Sequence, residues 1–175
     1  MERRIIIDLL DVALKDFYRF EKRNLELDVH EITHGHRLAY YMEKAIRKYD
    51  NENRCREFWE YSVDLEFNRT EGGNSKIVLQ DGLYRKTRCD ILLHSKGRNK
   101  TQENLLIIEL KKGDKTNKVD DDLKEISRMV SPPEENAQDT KICGTLLGVF
   151  LRIYPDRYSG TRFWYQSGKV CSENF

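Results

Sequence analysis

Asp90 heads a short apolar run, Asp90-Ile-Leu-Leu-His94, and Glu109 and Lys111 close a second, Asn104-Leu-Leu-Ile-Ile-Glu-Leu-Lys111. Charged side chains are rarely buried without a partner, so two carboxylates and an ammonium set in such runs point to chemistry. The residues between, 96–103, hold no apolar run and include Gly97 and Asn99, as a hairpin loop does. Pairing Ser95 with Asn104 makes antiparallel partners sum to 199 and sets Asp90 opposite Glu109. Directly opposed residues have Cβ atoms about 5 Å apart. Two buried carboxylates that close repel each other unless a cation lies between them. Lys111, two residues beyond Glu109, points to the same face of a strand.

Oxygen ligands of this kind suit Mg²⁺ or Mn²⁺, and the Leu110 backbone carbonyl adds a further candidate ligand. A divalent cation held there polarises a phosphoryl oxygen and lowers the pKa of water. Lys111 orients that water or offsets charge growing on the transition state. Phosphodiester hydrolysis is the expected reaction.

The elements that must position these residues are legible from periodicity. Ile6, Leu9, Leu10, Ala13, Phe17 and Phe20 recur at helical spacing, so residues 3–22 read as an amphipathic helix, followed by a break over 24–28. Asp28 and Glu31 have the spacing of a capping box, opening a helix over about 29–49 with Leu38, Ala39, Met42, Ala45, Ile46 and Tyr49 on one stripe. Val63, Leu65 and Phe67 alternate with polar neighbours over 61–68, the period of a half-buried strand. On that strand Asp64 and Glu66 fall on the polar face and read as solvated. Residues 70–74 read as a turn. The runs at 89–94, 104–111 and 146–153 read as central strands buried on both faces. A polar helix over 118–130 stops before Pro132-Pro133, and 161–165 with 169–171 suggest an edge hairpin. The expectation is a single α/β domain over 1–175: an N-terminal helix and break (1–27), a core (28–153) with a mixed sheet flanked by helices, and a C-terminal edge hairpin (154–175).

At its acidic hairpin the sequence resembles the PD-(D/E)xK nuclease superfamily, the restriction-endonuclease-like fold. Cys89-Asp90 stands where that motif has Pro-Asp, and Glu109-Leu110-Lys111 matches (D/E)xK. More narrowly it resembles small bacterial members of the superfamily through Glu31-Ile-Thr33, His36-Arg-Leu-Ala39, Val63–Arg69, Cys89–His94 and Asn104–Lys112, about residues 28–130 in all. The resemblance implies an αβββαβ core, Asp90 and Glu109 as metal ligands, and Lys111 as a catalytic residue. It matches Glu31 to a first-helix glutamate that approaches the metal. It implies Mg²⁺ or Mn²⁺ as cofactor and nucleic acid, DNA rather than RNA, as partner. The superfamily also includes members that have lost catalysis and serve as binding modules.

A competing motif stands at His30-Glu31-Ile32-Thr33-His34, which spells HExxH. Two histidines one helical turn apart, with Glu31 as general base, would bind zinc for peptide hydrolysis. It lies at the start of a helix, lacks a third-ligand pattern downstream and leaves Asp90, Glu109 and Lys111 unexplained. His36 and His94 read as structural histidines.

Formal net charge is +1, so any nucleic-acid surface must be local. From Lys76 to Lys118 eleven basic residues face five acidic ones. Arg85, Lys86, Arg88, Lys112 and Lys115 are the candidates for phosphate contacts, which give affinity without sequence readout. No helix-turn-helix, zinc-finger or RRM pattern argues for base recognition. The four cysteines (Cys55, Cys89, Cys143, Cys171) are widely spaced, as free thiols are. With no apolar stretch of signal-peptide or membrane-span length, the expected location is the cytoplasm and no membrane partner is expected. A homodimer is compatible with the sequence but not readable from it.

Overall fold

The computed structural model describes residues 1–27, 29–66, 77–80, 83–86, 89–99, 101–114, 119–132 and 144–175, with 77–80 and 83–86 described by backbone alone. The elements run α1 (Arg3–Phe20), α2 (Lys22–Glu26), α3 (Glu31–Asn53), β1 (Ser62–Leu65), β2 (Ile77–Gln80), β3 (Leu83–Lys86), β4 (Ile91–His94), β5 (Asn104–Lys112), α4 (Val119–Val130), β6 (Leu147–Ile153), β7 (Tyr158–Gln166) and β8 (Lys169–Asn174).

Six strands form one mixed sheet in the order β1-β4-β5-β6-β7-β8, and β2 and β3 form a separate two-stranded ribbon. β5 and β6 pair in parallel and the other neighbours are antiparallel. The crossover between the parallel pair contains α4, as a parallel connection requires. Strands β4, β5 and β6 are the apolar runs of the sequence, and they sit mid-sheet with nearly every residue buried.

Each face of the sheet carries its own core. Ile91, Leu93, Leu106, Ile108 and Leu110 pack with the apolar stripes of α1 and α3. Leu92, Ile107 and Phe150 pack with Ile126 and Met129 of α4. α4 comes close because β6 carries Gly148 beneath it. A Cβ there would stand 2.4 Å from Ile126 Cγ2 and 2.9 Å from Val130 Cγ1, inside contact distance.

Several sequence expectations are corrected. The break expected at 24–28 holds the short helix α2 over its first part, and Phe20, expected on the buried stripe of α1, is 56% exposed. α3 begins at Glu31 with His30 at its N-cap and no side-chain cap bond, so Glu31 opens the helix and does not sit at the third position of a capping box. Its carboxylate has a different partner, given below; Asp28 lies outside the described residues. The hairpin register also differs at its turn. His94, not Ser95, pairs with Asn104, and a bulge at Leu105 then restores partners that sum to 199 from Leu93↔Leu106 to Ile91↔Ile108. The expected turn at 70–74 lies outside the described residues. The edge hairpin exists and is longer than expected, with β8 at the sheet's edge.

Cys55, Cys89 and Cys171 are free thiols; Cys143 lies outside the described residues. Among the described residues no helix is long and apolar enough to cross a membrane.

Candidate metal centre

The chain bends at Asp90, immediately before β4, while β5 runs on for four residues past Ile108, the last residue that β4 pairs. The edge of β5 that β4 leaves open is completed by side chains. Asp90 Oδ2 accepts the Leu110 N–H at 2.7 Å, and Glu31 Oε2 accepts the Lys112 N–H at 3.0 Å. Two carboxylates from distant elements thus extend the β4–β5 ladder by two rungs. In a strand the N–H and C=O of one residue point to the same edge. The Leu110 carbonyl therefore projects between the amides that Asp90 and Glu31 hold.

A cavity of about 150 Å³ opens at this edge, between the start of α3 (His30, Glu31, Ile32, Gly35) and Leu65, Glu66, Asp90 and Leu110. α3 approaches β1 closely at Gly35, where a Cβ would meet Leu65 Cδ2 at 3.3 Å. Lys112 Nζ donates to the Val29 carbonyl at 2.8 Å and fastens the start of α3 to β5. The Lys112 ammonium thus makes an internal contact. Arg88 and Lys115 lie outside the described residues, as do the side chains of Arg85 and Lys86.

Glu109 and Lys111 occupy the other side of β5, facing α4. Glu109 is 8% exposed, and among the described residues no donor bonds its carboxylate. Burial pushes its pKa well above the usual glutamate value, and the charges of Asp90, Asp122 and Glu125 push further against Lys111. Burial also raises the Asp90 carboxyl, against the opposing pull of the Leu110 amide and Lys111, while Glu31 and Asp122 add to the rise. Burial alone would lower the Lys111 ammonium. Its 3.0 Å salt bridge to Asp122 and the nearby charges of Glu109 and Glu31 outweigh that, so its pKa is raised.

The structure therefore divides the expected set. Asp90 and Glu31 border the cavity, Glu109 and Lys111 face α4, and Asp90, ahead of β4, feels the charges of Lys111 and Glu31 and acts on Glu109. Asp122 and Glu125 were not anticipated from the sequence. Asp122 lies on the inward stripe of α4 with Val119, Leu123 and Ile126, at the spacing an apolar residue would take. A charged residue at such a position is the signal that marks it. Burial, followed by the Asp122 charge, raises Glu125 too.

Asp64, read from the sequence as solvated, is half-buried and paired, whereas Glu66 is exposed as expected. Asp64 Oδ2 is held by His94 Nε2 at 2.9 Å, Lys96 Nζ at 2.8 Å and Ser62 Oγ at 3.1 Å, and Glu66 lines the cavity. His94 is fully buried there, a structural histidine as expected. In the HExxH segment His30 occupies the N-cap position of α3 without a side-chain cap bond, and His34 is buried edge-on to Phe17 at 6.0 Å.

The donors fit a hard divalent cation: carboxylate and carbonyl oxygens around excess buried negative charge. Among the described residues no three His, Cys, Asp or Glu side chains cluster tightly enough to hold a metal alone. Mg²⁺ does not require that, since it is commonly bound through one or two carboxylates with water and substrate phosphate completing the shell. No protein-family model, curated protein or solved structure matches this chain.

Proposed function

We propose that this protein is a divalent-cation-dependent nuclease that hydrolyses phosphodiester bonds, with the restriction-endonuclease-like core that the PD-(D/E)xK resemblance implies. One observation carries the reading: the half-buried Asp90 just ahead of β4 acts on the buried Glu109 of β5, and both are raised by burial and further by surrounding acids. The fold maintains this repulsion with no internal cation bonded to Glu109 among the described residues, and an Mg²⁺ or Mn²⁺ ion would relieve it. Asp90, Glu109 and the Leu110 carbonyl would hold that ion, with Glu31 at the far side of the carbonyl.

The chain's own residues have distinct tasks. Asp90 and Glu31 fix the open edge of β5 by accepting its amides, so the Leu110 carbonyl is aimed before any ligand arrives. Lys111 brings positive charge to the α4 side of the carboxylates, where it offsets charge developing on a phosphoryl group. The cavity beside α3 has room for a phosphate and its water. DNA as the substrate rests on the sequence resemblance.

The test is cleavage of single- and double-stranded DNA and RNA by the full chain with Mg²⁺ or Mn²⁺. Asp90→Ala and Glu109→Ala should each lower divalent-dependent cleavage by about 10³-fold or more, several kcal/mol of transition-state charge stabilisation. Cleavage that survives both substitutions overturns the assignment. Salt-dependent nucleic-acid binding with no cleavage under any divalent ion identifies a binding module on this fold.

A further inference from the structure

We infer that Asp122 is a positioning residue that draws the Lys111 ammonium toward α4 and so keeps it from closing an internal ion pair with Asp90 and Glu109, leaving those carboxylates open to a divalent cation. The inference deepens the proposed function and rests on its cation reading.

Lys111 stands two residues from Glu109 on one strand face, and its charge acts on both Glu109 and Asp90. A lysine ammonium is a compact point charge on a flexible stem, and beside two carboxylates that no described cation bonds it is a ready internal counter-ion. An ammonium docked between them would do the work of a metal ion and compete with it. The observed ammonium is elsewhere. It meets Asp122 Oδ2 at 3.0 Å, with the two side chains only 19% and 17% exposed.

The first turn of α4 contains three aspartates, Asp120, Asp121 and Asp122, and acids there favour the helix dipole wherever they point. Asp120 and Asp121 are exposed and suffice for that role. Only Asp122 lies on the inward stripe, over a helix seated closely on Gly148. The dipole does not account for a half-buried carboxylate set against the one lysine next to Glu109; a competing anchor for that lysine does.

Calorimetric titration with Mn²⁺ alone, on the full chain, tests this through a double-substitution cycle. Asp122→Asn should weaken Mn²⁺ binding roughly tenfold, because the freed ammonium turns to the carboxylate pair. In a Lys111→Met background the same Asp122→Asn change should alter binding by less than about twofold. Asp122→Glu, which keeps the anchor, should stay near the wild-type affinity. Thermal melts check folding, and Asp122→Ser replaces Asp122→Asn in the same cycle if the asparagine variant does not fold. Equal losses in both backgrounds make Asp122 a ligand or a simple charge, and no loss in Asp122→Asn makes the salt bridge incidental; either result overturns the inference. A wild-type chain that takes up no Mn²⁺ overturns the cation reading itself, and the inference with it.

Discussion

Glu21 and Glu109 are almost equally buried, 5% and 8% exposed, yet the fold treats them in opposite ways. Glu21, between α1 and α2, accepts from Arg37 Nε at 2.6 Å, Tyr41 Oη at 2.8 Å and Asn24 Nδ2 at 2.6 Å. Burial works to raise its pKa, but those donors outweigh burial and hold it below the usual 4.5. Glu109 is surrounded by Asp90, Asp122 and Glu125 and is driven the other way. Asp64 repeats the Glu21 solution. Lys96 and His94 overcome its burial and lower it, at the far end of the strand that Asp90 precedes. Among the described residues the molecule satisfies the carboxylates of Glu21 and Asp64 from within, and that of Glu109 has no bonded donor. A charge compensated internally is part of the scaffold, whereas one left uncompensated is set up for a cation from outside.

The largest expected effect follows from that contrast. If Glu109 awaits a cation, Mn²⁺ at a hundred times its dissociation constant should stabilise the wild-type chain by about 2.7 kcal/mol. The same addition should leave Glu109→Gln nearly unchanged. Paired thermal melts with and without Mn²⁺ read this, and equal shifts in both proteins would break the comparison.

Next comes the scaffold side. Arg37→Ala removes the cationic partner of Glu21. A fully buried pair broken this way costs about 3–5 kcal/mol, but the Arg37 side chain is 43% exposed and water replaces part of it, so about 2 kcal/mol is expected. Urea unfolding measures the loss; a change near zero would show that Tyr41 and Asn24 suffice.

The smallest effect has the opposite sign. In metal-free buffer Glu109→Gln should be more stable than wild type by about 1 kcal/mol, the usual size of relief at a functional site strained for its task. The two glutamates should also respond to pH in opposite directions. Glu21, lowered in the folded state, contributes stability above 4.5 that is lost as pH falls through its folded value. The deficit of Glu21→Gln against wild type should therefore close on acidification. Glu109, raised in the folded state, costs nothing below 4.5, and its cost grows as pH rises from there toward its folded value. The advantage of Glu109→Gln should accordingly vanish near pH 4 and widen above it. Unfolding free energies measured across that range decide both signs.

The helical periods of α1 and α3, the three buried runs of β4, β5 and β6, and the stop of α4 before Pro132 were all legible in the chain, because each depends on neighbours within a turn or a strand. The register of β4 on β5 from Leu93 to Ile91 was legible for a similar reason. A loop of about ten residues leaves few registers, and hydrophobic patterning selects among them. The assumed turn pairing was off by one, and only the bulge at Leu105 recovered the register. Tertiary structure alone decided the rest. Glu31 reaches Lys112 across 81 positions of sequence, Arg37 finds Glu21 from another helix, and Asp122 meets Lys111 because Gly148 lets α4 sit down on the sheet. Local spacing fixes which side chains share a face of one element, but which faces meet is settled by the packing of whole elements. That is why the sequence determined the strands that carry Asp90 and Glu109 to one end of the β4–β5 hairpin, and only the folded chain decided which residues would hold Lys111 and complete the open edge of β5.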